Sequence, residues 1–222
     1  MSISLTKTNT NTNQVLATVF LNTSLSIFTT MLVAYLIEIN GLVAVMKEST
    51  LLGLTAILIP LPILFASMWA IQNFNRVIAN LALHVFAASM GLSMAFLFAK
   101  YTDASIIHAF VGTSGIFLSM AAIGYFTNVD LSNLGKLLFI ALIGIIITSV
   151  INIFLGSSVL NTVLNVITII VFMGLTAYDV QNIKDNIKYD DVNNIEVFGA
   201  ISLYLDFINI FTSLLELTGD SE

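Results

Sequence analysis

Apolar residues fall in seven long runs along this chain, each closed by a short polar break. The runs are Ala17 to Ile37, Leu51 to Ile71, Val77 to Ala99, Ala104 to Phe126, Leu137 to Leu155, Leu160 to about Asp179, and about Ile195 to Leu217. A membrane-spanning helix needs ~20 predominantly apolar residues, because the hydrocarbon core is ~30 Å thick and each residue rises ~1.5 Å. Every run meets that length, so the pattern predicts seven spanning helices. The breaks hold turn formers, such as Asn40-Gly41 and Gly156-Ser157-Ser158. Connections this short leave no room for a soluble domain.

The expected fold class is therefore all-α: one polytopic seven-transmembrane-helix bundle over residues 15–217. Residues 1–14, rich in Thr and Asn, read as a disordered cytoplasmic tail, and residues 218–222 as an acidic C-terminal tail. The first apolar run is too long for a signal-peptide core, and no small-residue cleavage site follows it. Pro60 and Pro62 lie inside the second run, where each removes a backbone donor and predicts a kink. Gly91, Gly112, Gly115, Gly124, Gly144 and Gly174 lie within spans, where small residues permit close helix approach.

Composition agrees. Of 222 residues, 58% are hydrophobic and 9% charged, whereas a soluble domain carries about 25% charged residues. A wet surface cannot be built from so few charges, so the lipid bilayer is the solvent. The chain has no cysteine, which excludes disulfides, thiolate metal sites and cysteine nucleophiles. With a net charge of −6, nothing in the chain is basic enough to suggest nucleic acid as a partner. With seven spans, Lys7, Arg76, Lys136, Lys184 and Lys188 fall on one side and Lys47 and Lys100 on the other. That bias places the N-terminus in the cytoplasm and the C-terminus outside. A sixth or seventh run that re-entered would move the C-terminus back to the cytoplasm.

Against this background two acids stand out. No Asp, Glu, Lys or Arg occurs from Leu137 to Tyr178, and then Asp179 arrives; Asp206 is the one charge between Val197 and Leu215. An ionisable group at bilayer depth costs roughly 2.5–3.5 kcal/mol on insertion scales, so it marks a functional site by default. Ser202 and Asn209 lie at i−4 and i+3 from Asp206, which gives the last helix one polar face. If the sixth and seventh helices are antiparallel neighbours, the two carboxyls reach hydrogen-bonding distance and titrate as a coupled pair. A shared proton then ties the helices together, and its loss drives them apart or draws in a cation. The same oxygens suit calcium, which makes Asp179 and Asp206 the candidate metal ligands. The plainer alternative leaves Asp179 at the headgroup boundary and Asp206 hydrogen-bonded for packing.

Arg76 is a candidate counter-charge for the pair, or else only a topology signal. His84 and His108 lie in the third and fourth spans, as proton relays or as neutral hydrogen-bonded groups. Glu38 and Glu216 are expected to face water at span ends. The stretch Asn182 to Glu196, with charges of both signs, reads as a solvated connection.

These residues also carry a family likeness. Tyr178-Asp179-x-Gln181-x-Ile183-Lys184 and Leu203-Tyr204-Leu205-Asp206-Phe207-Ile208-Asn209 resemble the two C-terminal signatures of the Bax inhibitor-1 (transmembrane Bax inhibitor motif) family. Ala109-Phe110-x-x-Thr113 and Asp130-Leu131-Ser132-x-Leu134-Gly135 resemble its middle segments. The resemblance runs from about Val15 to Leu217. It implies seven helices with the C-terminal one central, and a pH-sensing pair at Asp179 and Asp206 that gates a calcium leak. Family members can add an arginine near the end of the second helix that pairs with the two acids; here the stretch reads Ile71-Gln72-Asn73-Phe74-Asn75-Arg76, and if Asn73 takes the basic position the pair lacks that salt bridge. The short tails fit a member from a bacterial inner membrane.

Three functions follow for comparison. One is a pH-sensitive calcium leak channel gated by Asp179, Asp206 and Arg76, with no tightly bound cofactor. The alternative is a membrane-embedded regulator that binds a quality-control protease or another membrane protein without transport of its own. Intramembrane aspartyl proteolysis, the enzymatic reading, is not expected. It needs glycines beside its second aspartate, and this chain has Leu203-Tyr204-Leu205 there.

Overall fold

The computed structural model describes residues 12–187 and 192–221, which form nine helices. These are α1 (Thr12–Ile39), α2 (Leu42–Glu48), α3 (Thr50–Leu58), α4 (Pro60–Asn73), α5 (Arg76–Phe98), α6 (Asp103–Phe126), α7 (Ser132–Leu155), α8 (Ser158–Asn186) and α9 (Val192–Thr218). Seven spans are long and apolar enough to cross a bilayer: α1, α3 with α4, and each of α5 to α9. All seven expected spans are present. The termini lie on opposite faces, the N-terminal face carrying the α4–α5, α6–α7 and α8–α9 connections.

Two boundaries differ from the sequence reading. Helix α8 continues through Asn186, so Asp179 sits two turns inside it rather than at its end. Unbroken apolar character marks the hydrocarbon, while a helix persists wherever its backbone bonds and caps persist. Of the tail expected over residues 1–14, residues 1–11 lie outside the described residues, and Thr12, Asn13 and Gln14 belong to α1. The acidic C-terminal segment is docked. Asp220 accepts from the Thr102 N–H at 3.1 Å and donates its own N–H to Ser105 Oγ at 2.9 Å.

The second span is interrupted at Ile59, between α3 and α4, where the prolines stand, and Ile59 itself keeps right-handed helical dihedrals. Pro60 cannot donate to the Ala56 carbonyl, which would be left bare in lipid. Ser93 of α5 supplies the missing donor, its hydroxyl reaching Ala56 O at 2.8 Å. A side chain on a neighbouring span thus stitches the gap between α3 and α4.

At the centre stands α9, in contact with α1, α4, α5, α6 and α8. Of its apolar window 67% is buried, against 0% for α7, which leans on α8 at the rim. The largest fully buried side chain is Tyr204. Its hydroxyl lies 2.7 Å from Thr30 Oγ1 of α1, which also reaches Ala87 O of α5 at 2.8 Å. Its ring meets Phe86 edge-on, with centroids 5.6 Å apart. One residue therefore locks α9 against α1 and α5. Close approach of α1 and α5 needs Gly91, where a Cβ would stand 2.6 Å from the Val33 side chain.

Candidate functional site

The polar face of α9 meets α8 where Asp179 projects. Asp179 Oδ2 accepts a hydrogen bond from the Ser202 hydroxyl. One turn along, Asp206 is 3% exposed, lies within hydrogen-bonding reach of Thr176, and has Oδ2 buried with no hydrogen-bond partner. The two carboxyls interact electrostatically. They line one cavity of about 690 Å³ between α7, α8 and α9, together with Ser202, Tyr178 and Lys136. The two carboxyls expected to meet thus share one cavity wall, and Asp179 Oδ2 is held by Ser202. A second cavity, about 520 Å³, opens on the other side of Asp179 and Ser202, walled by Leu64 and Met68 of α4 and by Asn182 and Asn186.

The local sequence makes α8 rigid here. A Cβ on Gly124 would stand 2.1 Å from Ala177 O, so α6 packs directly on the α8 backbone two residues before Asp179. Gly135 lies against the Tyr178 ring in the same way, with a Cβ only 2.6 Å from it. Two residues after Asp179, Gln181 clamps the α6–α7 connection, donating to Val129 O and accepting from Leu131 N, both at 2.8 Å. Lys184 adds a bond to Tyr125 O at 2.9 Å.

The expected partner of the acidic pair is engaged elsewhere. Arg76 Nη2 lies 2.5 Å from Glu196 Oε2, joining the start of α5 to the first turns of α9. Glu196, read from sequence as part of a solvated loop, is instead 4% exposed. Helix α9 begins before it and turns it into the bundle, where the guanidinium compensates the buried carboxylate. Lys188, Asp190 and Asp191 of that stretch lie outside the described residues. The histidines stand apart from the acids: His108 is exposed near the start of α6, and His84 on α5 holds Nδ1 buried without a hydrogen-bond partner. Asn73 bonds back to Trp69 O of its own helix.

Sequence reasoning missed three contributors. Thr176 lies three residues before Asp179 and so on its face, a spacing visible in the chain. Glu196 needed the end of α8 and the start of α9 to be known. Glu216 is exposed as expected, yet Asn161 and Asn165 of α8 both donate to its Oε2, at 3.2 and 2.9 Å.

As chemistry, the site offers two carboxylates and two hydroxyls. Calcium takes ~6–8 oxygens, and the described residues contain no cluster of three or more His, Cys, Asp or Glu. Two carboxylates and two hydroxyls fall short of that number, so water would have to complete the shell of any such cation.

Residues 12–222 match the family model described as inhibitor of apoptosis-promoting Bax1. Inner membrane protein YbhL of Escherichia coli (strain K12) is 40% identical over 176 residues, covering 77% of this chain and 74% of its own. A protein of Borreliella burgdorferi is 35% identical over 213 residues, covering 93% and 92%. A membrane protein of Streptococcus pyogenes serotype M3 is 32% identical over 226 residues, covering 98% and 97%. With seven spans, a central α9 and matches of this extent, the chain belongs to the Bax inhibitor-1 family of integral membrane proteins.

Proposed function

We propose that this protein is a pH-sensitive cation leak, calcium being the permeant ion, gated by Asp179 and Asp206 from a bacterial inner membrane. The observation that carries the reading is Asp206 Oδ2, buried without a partner beside a second carboxylate in a common cavity. When the pair holds a proton, the bundle keeps its packed form. When the proton leaves, a charge at bilayer depth costs roughly 2.5–3.5 kcal/mol until water or a cation reaches it. The titratable groups around the cavity are Asp179, Asp206, Tyr178 and Lys136. Leak therefore rises with pH. The cation bias places the N-terminal face in the cytoplasm.

The test is calcium entry into dye-loaded liposomes across roughly pH 5 to 8, comparing wild type with Asp206→Asn. Wild-type flux should climb with pH, and the Asn variant, which cannot ionise, should lose that dependence. Flux indifferent to both pH and the substitution refutes the leak.

A regulatory reading rests on a different feature. An apolar groove of about 640 Å³ runs between α1 and α6 over Phe207, lined by Phe20, Phe28, Met31 and Phe110. A transmembrane helix of a partner such as a quality-control protease has the chemistry to lie there. A stable co-purifying partner, with normal behaviour of the Asp→Asn variants, would favour this reading over the leak.

A further inference from the structure

Helices α1 and α6 both pack on α9, but the other main neighbour of α1 is α5 and that of α6 is α8. A trough is left between them. The groove of about 640 Å³ over Phe207 continues toward the N-terminal face into a second space of about 320 Å³, because Phe20 and Leu118 wall both. Together they follow α6 from Ile106 to Tyr125, which at ~1.5 Å per residue matches the ~30 Å hydrocarbon. The floor is aromatic: Phe207 of α9 meets Phe117 edge-on at 5.7 Å, and Phe117 meets Phe20 at 6.4 Å. The hydroxyls along the walls are already spent, Thr23 on Val19 O, Ser24 on Phe20 O and Ser114 on Phe110 O. Between its ends the trough is therefore an apolar surface.

These walls suit a flexible chain better than a helix. Spanning helices associate through small residues that let their backbones close up, whereas this trough presents Phe28, Met31, Phe110 and Leu118. Such side chains hold a helix backbone off, while an acyl chain bends round them. The N-terminal end adds charge. Lys184 reaches over from α8, its Nζ 5.9 Å from the centre of the Tyr125 ring and 2.9 Å from Tyr125 O. An ammonium has three protons, so donors remain for a ligand. Among the described residues no carboxylate pairs with it. Tyr125, whose hydroxyl donates to Asn13 Oδ1 at 3.0 Å, closes this end of the trough. The cation bias puts this face in the cytoplasm, where basic pockets between spanning helices take anionic headgroups.

We propose that the α1–α6 trough binds one anionic phospholipid of the cytoplasmic leaflet, its headgroup phosphate on Lys184 beside Tyr125 and one acyl chain laid over Phe20 and Leu118 down to Phe207. A chain that covers half the ~30 Å hydrocarbon reaches that far. The site does not depend on the leak. Phe207 nevertheless follows Asp206 on α9, so a seated chain touches the helix that carries the acid. A partner's helix would have to displace this lipid to use the same groove.

Native mass spectrometry of the full chain in detergent tests this, with phosphatidylglycerol and phosphatidylcholine of identical acyl chains as probes. Wild type should hold the first phosphatidylglycerol about fivefold more tightly than phosphatidylcholine, the factor that one lysine at an anionic headgroup supplies. Lys184→Gln should abolish that preference, and Lys184→Arg, which keeps the charge, should retain it. Leu118→Trp fills the junction of the two spaces from a position 62% exposed, so the core is left alone. It should weaken both lipids at least about fivefold, the worth of roughly ten lost atom contacts. Ile153→Trp, 78% exposed on α7, is the control and should bind like wild type. Equal binding of the two lipids by wild type, a preference that survives Lys184→Gln or is lost in Lys184→Arg, or Leu118→Trp matching Ile153→Trp, overturns the proposal. A protein retained by wild type and released by Leu118→Trp, with lipid binding equal in both, gives the trough to a partner helix and likewise overturns it.

Discussion

Replacing Gly124 with alanine tests the most demanding contact in the bundle. The added methyl would stand 2.1 Å from Ala177 O and 2.9 Å from Ala177 C and Cα. A carbon meets a carbonyl oxygen comfortably at about 3.3 Å, so α6 and α8 must part by about 1 Å. The obstacle is backbone, and no rotamer change relieves it. Overpacking of this kind costs about 1–3 kcal/mol, while alanine returns ~0.5–1 kcal/mol by removing glycine's conformational freedom. The net loss is about 1–2 kcal/mol, which for a chain of this size lowers Tm by roughly 3–6 °C. Gly144→Ala is the control, because nothing lies within 4 Å of its added methyl. Thermal stability in detergent, read by size-exclusion chromatography of heated samples, compares the two. Gly144→Ala should match wild type or exceed it. If Gly124→Ala melts with wild type, or Gly144→Ala falls as far, the inferred α6–α8 contact is wrong.

Removing Arg76 leaves Glu196 charged and buried, so Arg76→Ala should lower stability by about 1–3 kcal/mol, discounted because the arginine is half exposed. Arg76→Ala combined with Glu196→Gln should recover part of that loss in the same melting assay, and a strictly additive double variant would refute the pairing. Ser93→Ala strips the donor from Ala56 O next to the Pro60 break and should cost about 1–2 kcal/mol. Hydrogen exchange at the α3–α4 junction should rise with it; unchanged exchange would mean the carbonyl finds another partner.

The spans were legible because a bilayer demands a fixed length of apolar chain, and nothing in the folded bundle overrides that demand. The polar face of α9 was legible too, since Ser202, Asp206 and Asn209 repeat at helical spacing inside an apolar run. Partner choice was not. Arg76 and Glu196 are 120 positions apart by number, and their meeting depends on α5 and α9 sharing a face of the bundle. A mixture of charges signals a wet loop only when no helix begins beneath it, and α9 begins before Glu196. Fading apolar character marks Asp179 as a helix end, yet the backbone bonds of α8 continue to Asn186. Ser93 carries no local mark of its purpose; its role follows from a proline on another span.

Helix α7 rests chiefly on α8, yet it forms one wall of the acidic cavity. Helix α7 therefore stands between this cavity and the acyl chains on its own side, so lateral pressure on α7 bears on the cavity. Bilayer thickness and acyl composition thereby enter the energetics of this chamber directly. Reconstitutions in short-chain and long-chain phospholipids are expected to sample different states of the same protein.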